Sequence, residues 1–299
     1  MTGLPFRGWL RTQRYALPAK LGRWLRAPTA RNAARQVRRL GHRRMYATLG
    51  YFQADDDAPD RIVAACRAAA SAAAGSDAWL SVKAPPLHFD AGRLRTIAEA
   101  AAAHGLPLMF DAHAPADADA TLAGAEALAA AFPGTGAALP ARWHRSLADA
   151  ARLRDAPIRL RIVKGEWGDG DRDPPDLDTA YLALVERLAG RRHPVSVATH
   201  KPALAAAALD CLIAAGTPCE LEQLRGLPRR RSSAAARARG VPVRIYLPFG
   251  PGWWPYAIDK VLARPWLPIW WLRDRLGLPD PGTAAPAARG RTRSDARAS

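Results

Sequence analysis

The sequence predicts an α/β protein folded as a (β/α)8 TIM-like barrel. From about residue 45, short strand candidates alternate with Ala- and Leu-rich helical stretches at a repeat of roughly 25 to 30 residues. Eight such units can be counted in 299 residues. Neither GxGxxG nor GxxxxGK(S/T) occurs, so nothing supports a doubly wound sheet with a phosphate-binding turn.

Taken in order, the first unit pairs a strand at 45–52 (MYATLGYF) with a helix at 58–74, and the second a strand at 79–83 (WLSVK) with a helix at 91–104. The third and fourth run 107–111 (PLMFD) with 116–131, and 136–139 (GAAL) with 145–155. The fifth and sixth run 158–163 (IRLRIV) with 176–189, and 194–199 (PVSVAT) with 201–215. The last two run 219–224 (CELEQL) with 228–239, and 241–247 (VPVRIYL) with 254–264. Polar residues cluster where strands end: Lys83, Asp111, Lys164, Thr199 with His200, Glu222 with Gln223, and Tyr246. The C-terminal rim of a barrel is where active sites are built, so this convergence says more than any one residue.

Two segments flank the body. Residues 1–44 read as a basic arm with Trp9, Leu10, Leu21, Trp24 and Leu25 among arginines. Short helices on an anionic lipid surface would look like this, and so would a helical extension packed on the body. The tail at 281–299, rich in Pro, Ala, Gly and Arg, is predicted to be disordered. The barrel is assigned to 45–280.

The net charge of +17 is uneven. Residues 1–54 hold eleven Arg and Lys20 with no Asp or Glu, the tail holds four Arg and one Asp, and the segment between them carries only +2. A nearly neutral body with basic ends is not the profile of a nucleic-acid-binding domain, and no recognised DNA-binding motif is present. Three cysteines without zinc or redox spacing point to a reduced, cytoplasmic-type compartment, and no apolar run reaches the roughly 18 to 20 residues that span a bilayer. The seven His form no HxH, HxxxH or HExxH pair, so no metal site is expected. Of 44 cations only five are lysines, which draws attention to Lys83, Lys164, Lys201 and Lys260. A rim with more cations than anions suits a phosphate-bearing ligand and a carboxylate substrate.

The run Arg161-Ile-Val-Lys164-Gly165, then Ala198-Thr199-His200, Glu220-Leu-Glu222-Gln-Leu-Arg-Gly226, and Val243-Arg-Ile-Tyr246-Leu-Pro248-Phe-Gly250 with Trp254-Pro255-Tyr256 resembles the ordered motifs of FAD-dependent proline dehydrogenases. Ser81-Val82-Lys83, Phe110-Asp111 and Ala47-Thr48-Leu49 with Tyr51 are similar to earlier motifs of that family, so the resemblance runs from about 45 to 264. It implies a distorted barrel holding FAD, with proline oxidised to pyrroline-5-carboxylate by hydride transfer to flavin N5. It further implies a role in proline catabolism, with electrons passed to a quinone or other acceptor and peripheral contact with the membrane. Arg161, Val163, Lys164, Gly165, Thr199, His200 and Glu222 fall on flavin-side positions, where cations and backbone donors stabilise a reduced anionic flavin. Lys83, Asp111, Tyr246, Tyr256 and Lys260 fall on the substrate side. There Lys83 and Lys260 would hold the carboxylate, Asp111 would orient Lys83, and the tyrosines would wall a ring-sized space.

The chain departs from the family pattern at several positions. Asp259-Lys260 stands for an Arg-Arg pair, Glu222 and Pro140 each for Gln, Glu166-Trp167 for a small-aromatic pair, and Lys201 for Asn. Gly50 and Gln53-Ala54 replace the Asp and Gly-Glu of the first-strand motif. These departures leave a second reading, a divergent barrel with altered substrate or a ligand-binding role. A third treats the protein as membrane- or nucleic-acid-associated through its arm. The late cluster Trp253, Trp254, Trp266, Trp270 and Trp271 beside Arg264, Arg273 and Arg275 suits either a lipid interface or a last helix over the barrel mouth.

Overall fold

The fold is given by a computed structural model in which residues 25–278 are described. The expectations for the start of the basic arm and for the tail lie outside them. Eight strands close a parallel barrel in sequence order. They are β1 Tyr46–Tyr51, β2 Ala78–Val82, β3 Leu108–Phe110, β4 Gly136–Pro140, β5 Arg159–Val163, β6 Val195–Ala198, β7 Cys219–Leu224 and β8 Val243–Phe249. Helix α1 (Ala30–Gly41) precedes β1. Between strands lie α2 (Pro59–Ala72), α3 (Ala91–Ala102), α4 (Ala118–Ala129), α5 (Ser146–Arg152), α6 (Leu177–Leu188), α7 (Pro202–Ala214) and α8 (Arg230–Arg237). Helices α9 (Trp253–Ala263) and α10 (Leu267–Leu276) follow β8.

Strand side chains alternate between two faces. One set, including Leu49, Leu80, Val82, Phe110, Leu139, Leu160, Ile162, Val197, Leu221, Ile245 and Leu247, faces the helices and forms the buried apolar core. The other set faces the lumen, which is polar where many barrels place branched aliphatics. Arg244 Nε lies 3.0 Å from Glu220 Oε1, its guanidinium sits 3.4 Å from the Trp79 ring centroid, and Ser196 Oγ donates to Glu220 Oε1 at 2.7 Å. The Arg159 guanidinium lies 4.0 Å from the same indole. This charged layer closes the barrel beneath the site, so the chemistry is confined to the C-terminal rim.

The N-terminal helix is part of the body. Thr29 caps α1 by accepting from the Asn32 N–H at 3.2 Å, and Ala33, Ala34, Val37 and Leu40 are buried. The helix packs on β1, β8 and α2, where a helix following the last strand lies in a regular barrel. The packed body therefore reaches back to residue 30, ahead of the boundary expected at 45. Helix α9 instead meets the rim: Tyr256 and Trp253 rest against Phe52, with ring centroids 5.0 Å and 5.4 Å apart. Helix α10 is tied to α8, because the Asp274 carboxylate accepts from the Arg229 and Arg230 N–H groups, each at 2.9 Å. No described helix is long and apolar enough to cross a membrane.

Candidate active site

Five of the residues singled out by sequence meet inside the rim. Lys83, Asp111, Arg161, Glu222 and Tyr246 belong to the lumen-facing set of β2, β3, β5, β7 and β8 or stand just past a strand end, so alternation alone turns them toward one another. Lys83 Nζ donates to the Tyr51 carbonyl at 2.8 Å, lies 3.9 Å from Asp111 Oδ2 and sits 4.2 Å from the Phe52 ring centroid. The Tyr246 hydroxyl donates to Asp111 Oδ2 at 2.7 Å. Arg161 pairs with Asp111 through Nη2 and with Glu222 through Nη1, 3.3 Å from Oε1. The result is a chain of alternating charge, Lys83–Asp111–Arg161–Glu222, buried at Arg161 and Glu222 and partly open at Lys83 and Asp111, with two cations facing two carboxylates.

Burial and partners set the protonation states. Burial lowers the Lys83 pKa, with the Asp111 carboxylate working against it. For Asp111 burial acts upward, yet the Arg161 and Lys83 charges and the Ser81 and Tyr246 hydroxyls outweigh it, leaving its pKa below the usual carboxylate range. Arg161 is raised despite burial by Glu222 and Asp111. Burial and then the Asp111 carboxylate push Tyr246 well up, so it remains a hydrogen-bond donor. Gly50 makes this possible: a Cβ there would lie 1.9 Å from Tyr246 Oη.

A second group hangs over the mouth. Tyr256 and Lys260, four residues apart on α9, both reach Glu166 in the loop after β5. The Tyr256 hydroxyl donates to Glu166 Oε1, and Lys260 Nζ lies 3.3 Å from the same oxygen. Burial, then Glu166, raises the Tyr256 pKa well above its usual value.

The remaining predicted residues line the β5–β6 side of the rim. Val163 accepts from the Ala141 N–H at 2.8 Å through its carbonyl. Gly165 has φ +92°, and a Cβ there would fall 2.9 Å from Pro140 Cβ, so the loop after β5 needs glycine to lie against Pro140. Partial burial and then the cations Arg264, Lys201 and Arg142 lower the Lys164 pKa. Its ammonium has no carboxylate partner among the described residues, whereas Lys201 is held by Asp178 at 2.7 Å. Thr199 Oγ1 accepts from the Lys201 N–H at 3.2 Å. His200 is occupied at both ring nitrogens: Nδ1 meets the Pro228 carbonyl at 2.7 Å and Nε2 accepts from the Leu224 N–H at 3.0 Å. Its ring fastens two rim loops together, and burial lowers its pKa.

Sequence reasoning missed Phe52, Glu166 as a bridge, and the space that Gly50 leaves. Phe52 directly follows a strand end, a position that marks it as a rim residue. The Glu166 contact spans 90 residues and has no local signal.

The sequence profile of the family described as Proline dehydrogenase matches residues 30–252, most of the chain and all eight strands. The chain belongs to the proline dehydrogenase family. Proline dehydrogenase 1 of Bacillus subtilis strain 168 is 24% identical over 263 residues, which cover 81% of this chain and 86% of that protein. The proline dehydrogenase of Deinococcus radiodurans is 30% identical over 137 residues, 44% of each chain. Among solved structures, proline utilization A (PutA) from Bdellovibrio bacteriovorus, inactivated by N-propargylglycine, superposes with a TM-score of 0.66 at 16% identity, covering 79% of this chain and 31% of that one. PutA from Corynebacterium freiburgense gives 0.63 at 15% identity, over 90% of this chain and 33% of that one. The chain thus spans about a third of these PutA proteins and shares their barrel. As a member of an oxidoreductase family, it brings Lys83, Asp111, Arg161 and Tyr246 together in the lumen, while its departures are spread over the rim, from Gly50 on β1 and Pro140 on β4 to Glu222 on β7 and Asp259-Lys260 on α9.

Proposed function

We propose that the protein is a flavin-dependent oxidoreductase that oxidises L-proline or a related cyclic amino acid to the corresponding imine, pyrroline-5-carboxylate for proline, in proline catabolism. The observation that carries this reading is the charge chain Lys83–Asp111–Arg161–Glu222 with the Tyr246 hydroxyl on Asp111. The residues fit an FAD: on the β5–β6 side, Lys164 stands among the cations Arg264, Lys201 and Arg142 with Asp178 opposing them, a positive field suited to phosphates or a reduced flavin. Arg161, Lys164 and the backbone around Val163, Gly165 and Thr199 would hold it, with Glu222 neutralised by Arg161. When bound, the flavin supplies the acceptor for the hydride lost from the substrate's ring carbon.

The chain's own residues do the rest. Lys83 and Lys260 attract the substrate carboxylate, Asp111 fixes the Lys83 ammonium, and Tyr246 and Tyr256, each in ring contact with Phe52, border the substrate. The Arg161–Glu222 pair keeps Asp111 ionised, so Lys83 retains its counter-charge. His200, bonded at both ring nitrogens to backbone groups, stiffens the rim. Electrons leave to a quinone or another acceptor. The test is the spectrum of the purified protein, expected to show bound flavin that bleaches anaerobically with L-proline and is inactivated by N-propargylglycine. A colourless protein that takes up no FAD on reconstitution overturns the assignment.

One observation favours a variant reading in which the substrate differs at its carboxylate. Asp259 Oδ1 is buried with no hydrogen-bond partner among the described residues, and Glu166 already occupies Lys260. A partly exposed carboxylate next to Lys260, with one oxygen unpartnered, repels an anion and invites a cation. Comparing L-proline with pyrrolidine, which lacks the carboxylate, separates the readings. Asp259→Arg should raise proline affinity, and unchanged affinity removes Asp259 from substrate selection.

A further inference from the structure

Charge is not spread evenly over the outer helices. Residues 26–44 hold seven Arg and residues 225–239 six, and neither stretch holds an Asp or Glu. The small net charge between the basic ends therefore averages a strongly basic stretch against an acidic remainder. The two stretches meet in the fold. Arg31, Arg35 and Arg39 repeat at i, i+4 along α1, Arg43 continues them in the turn that follows, and all four are exposed. Arg225 and Arg229, in the loop between β7 and α8, feel their charge: burial and then Arg39 lower the Arg225 pKa. Burial and then Arg43, Arg237 and Arg225 lower that of Arg229, with Asp274 opposing them. From α8, Arg237 Nη2 reaches Met45 Sδ at 3.3 Å, just past the same turn. Asp274 itself is buried and already accepts from the Arg229 and Arg230 N–H groups. Elsewhere on the barrel arginines meet acids, Arg93 with Asp60 at 2.9 Å and Arg152 with Glu126 at 2.8 Å. None of the four α1 arginines, nor Arg225 or Arg229, makes such an ion pair among the described residues. Like charges at i, i+4 destabilise a helix, so α1 carries a strain that an external anion would remove.

We propose that the face formed by α1 and the β7–α8 loop binds the phosphate backbone of duplex DNA without regard to sequence. The composition of the face selects this occupant. Neither 30–43 nor 225–239 contains Phe, Tyr or Trp, so unpaired bases find nothing to stack on. None of the exposed large apolar side chains lies in either stretch, so the face lacks both the anchors of a protein interface and the apolar groups that enter a bilayer. What it offers is guanidinium, which pairs with phosphate through two parallel N–H donors. Arg31 to Arg39 spans about 12 Å at 1.5 Å per residue, a length over which a duplex presents about seven charges. An array of that length suits a continuous backbone, whereas a single di- or triphosphate would meet only part of it. Such contacts position the duplex and carry no sequence information, in keeping with the absence of a DNA-reading motif. The face is separate from the lumen residues that carry the proposed oxidation and stands without that reading.

The test is fluorescence anisotropy of a labelled DNA duplex of about 20 base pairs, titrated with the full-length protein between about 50 and about 200 mM salt. Six arginines on phosphates give a slope of log K against log salt of about −5, the same for two unrelated sequences. Arg39→Gln with Arg43→Gln should weaken binding about tenfold at about 0.1 M salt and make the slope shallower by about 2. Arg225→Gln with Arg229→Gln, on the other element, should do the same. Arg93→Gln with Arg152→Gln removes the same net charge from another face and should leave affinity and slope unchanged. A slope near zero, or equal weakening by this control pair, overturns the proposal. Wild-type binding that the α1 pair and the loop pair both leave intact overturns it as well and points to residues 1–24 or 279–299. Tighter binding to poly-glutamate or to anionic vesicles than to the duplex overturns it in favour of an acidic protein or a membrane. Anisotropy is read without flavin or turnover, so a colourless protein that still binds the duplex sinks only the oxidoreductase reading.

Discussion

Lys83 carries the clearest residue-scale consequence. Its ammonium is buried, so its pKa is lowered, and it loses its proton at a lower pH than a free lysine. Affinity for a carboxylate substrate should therefore fall as pH rises through that depressed value. Lys83→Arg cannot deprotonate in this range, so its KM should be higher at neutral pH but flat toward alkali. KM against pH for both proteins decides this, because the substrate's own titration is common to the two. Gly50 gives a second residue-scale prediction. With its Cβ placed 1.9 Å from Tyr246 Oη, Gly50→Ala must push the phenol off Asp111. A misplacement of that order should cost ~10- to 100-fold in kcat/KM. Tyr246→Phe removes the same hydrogen bond, so the double variant should be far less than additive. Additive losses would mean that Gly50 acts through something other than Tyr246.

At the scale of elements, Glu166 decides how α9 sits. Its carboxylate ties Tyr256 and Lys260 to the loop after β5, which holds the helix over the mouth and at the same time occupies a cation that a substrate carboxylate would use. Glu166→Gln keeps an acceptor for the Tyr256 hydroxyl and removes the competing charge, so KM for L-proline should fall severalfold with little change in kcat. Glu166→Ala, which also frees the helix, should lower kcat. The two variants behaving alike would show that the tether has no role of its own. The strands are legible in the sequence because alternation places Leu49, Leu80, Leu160 and Ile245 on one face while Arg161, Glu222 and Tyr246 take the other, and that parity also assembles the inner site. Helix α1 is harder to place. Its apolar residues Ala33, Val37 and Leu40 are set among arginines, and the same pattern suits lipid or a protein surface. Only its packing on β1 and β8 distinguishes them. The Glu166 bridge is not legible for a related reason: it joins two rim segments that are neighbours only after the barrel has closed.

Over the whole molecule, the lumen is the unusual feature, because a closed barrel of this size is normally filled by aliphatic side chains. Here the lower layer rests on Arg244 with Glu220, both buried, with Trp79 stacked between Arg244 and Arg159. Burying two charges costs much of what their attraction returns, so such a pair is strongly protected against loss of one partner but only weakly stabilising as a unit. Glu220→Leu alone strands the Arg244 guanidinium and should cost about 3–5 kcal/mol in unfolding free energy. Adding Arg244→Met removes the stranded charge and fills the space with aliphatic atoms, so the double variant should recover more than half of that loss even though the Arg244 bond to the Ala47 carbonyl at 2.7 Å goes with it. Urea unfolding midpoints at neutral pH measure the comparison. If the double variant is as unstable as the sum of the singles, the layer is held by the arginine's bonds to Ala47 and its stacking on Trp79, and the carboxylate is there only to neutralise it. If stability returns but flavin uptake or turnover does not, the charged floor serves the site above it by fixing the position of Arg161, which stands two residues beyond Arg159 on the same strand.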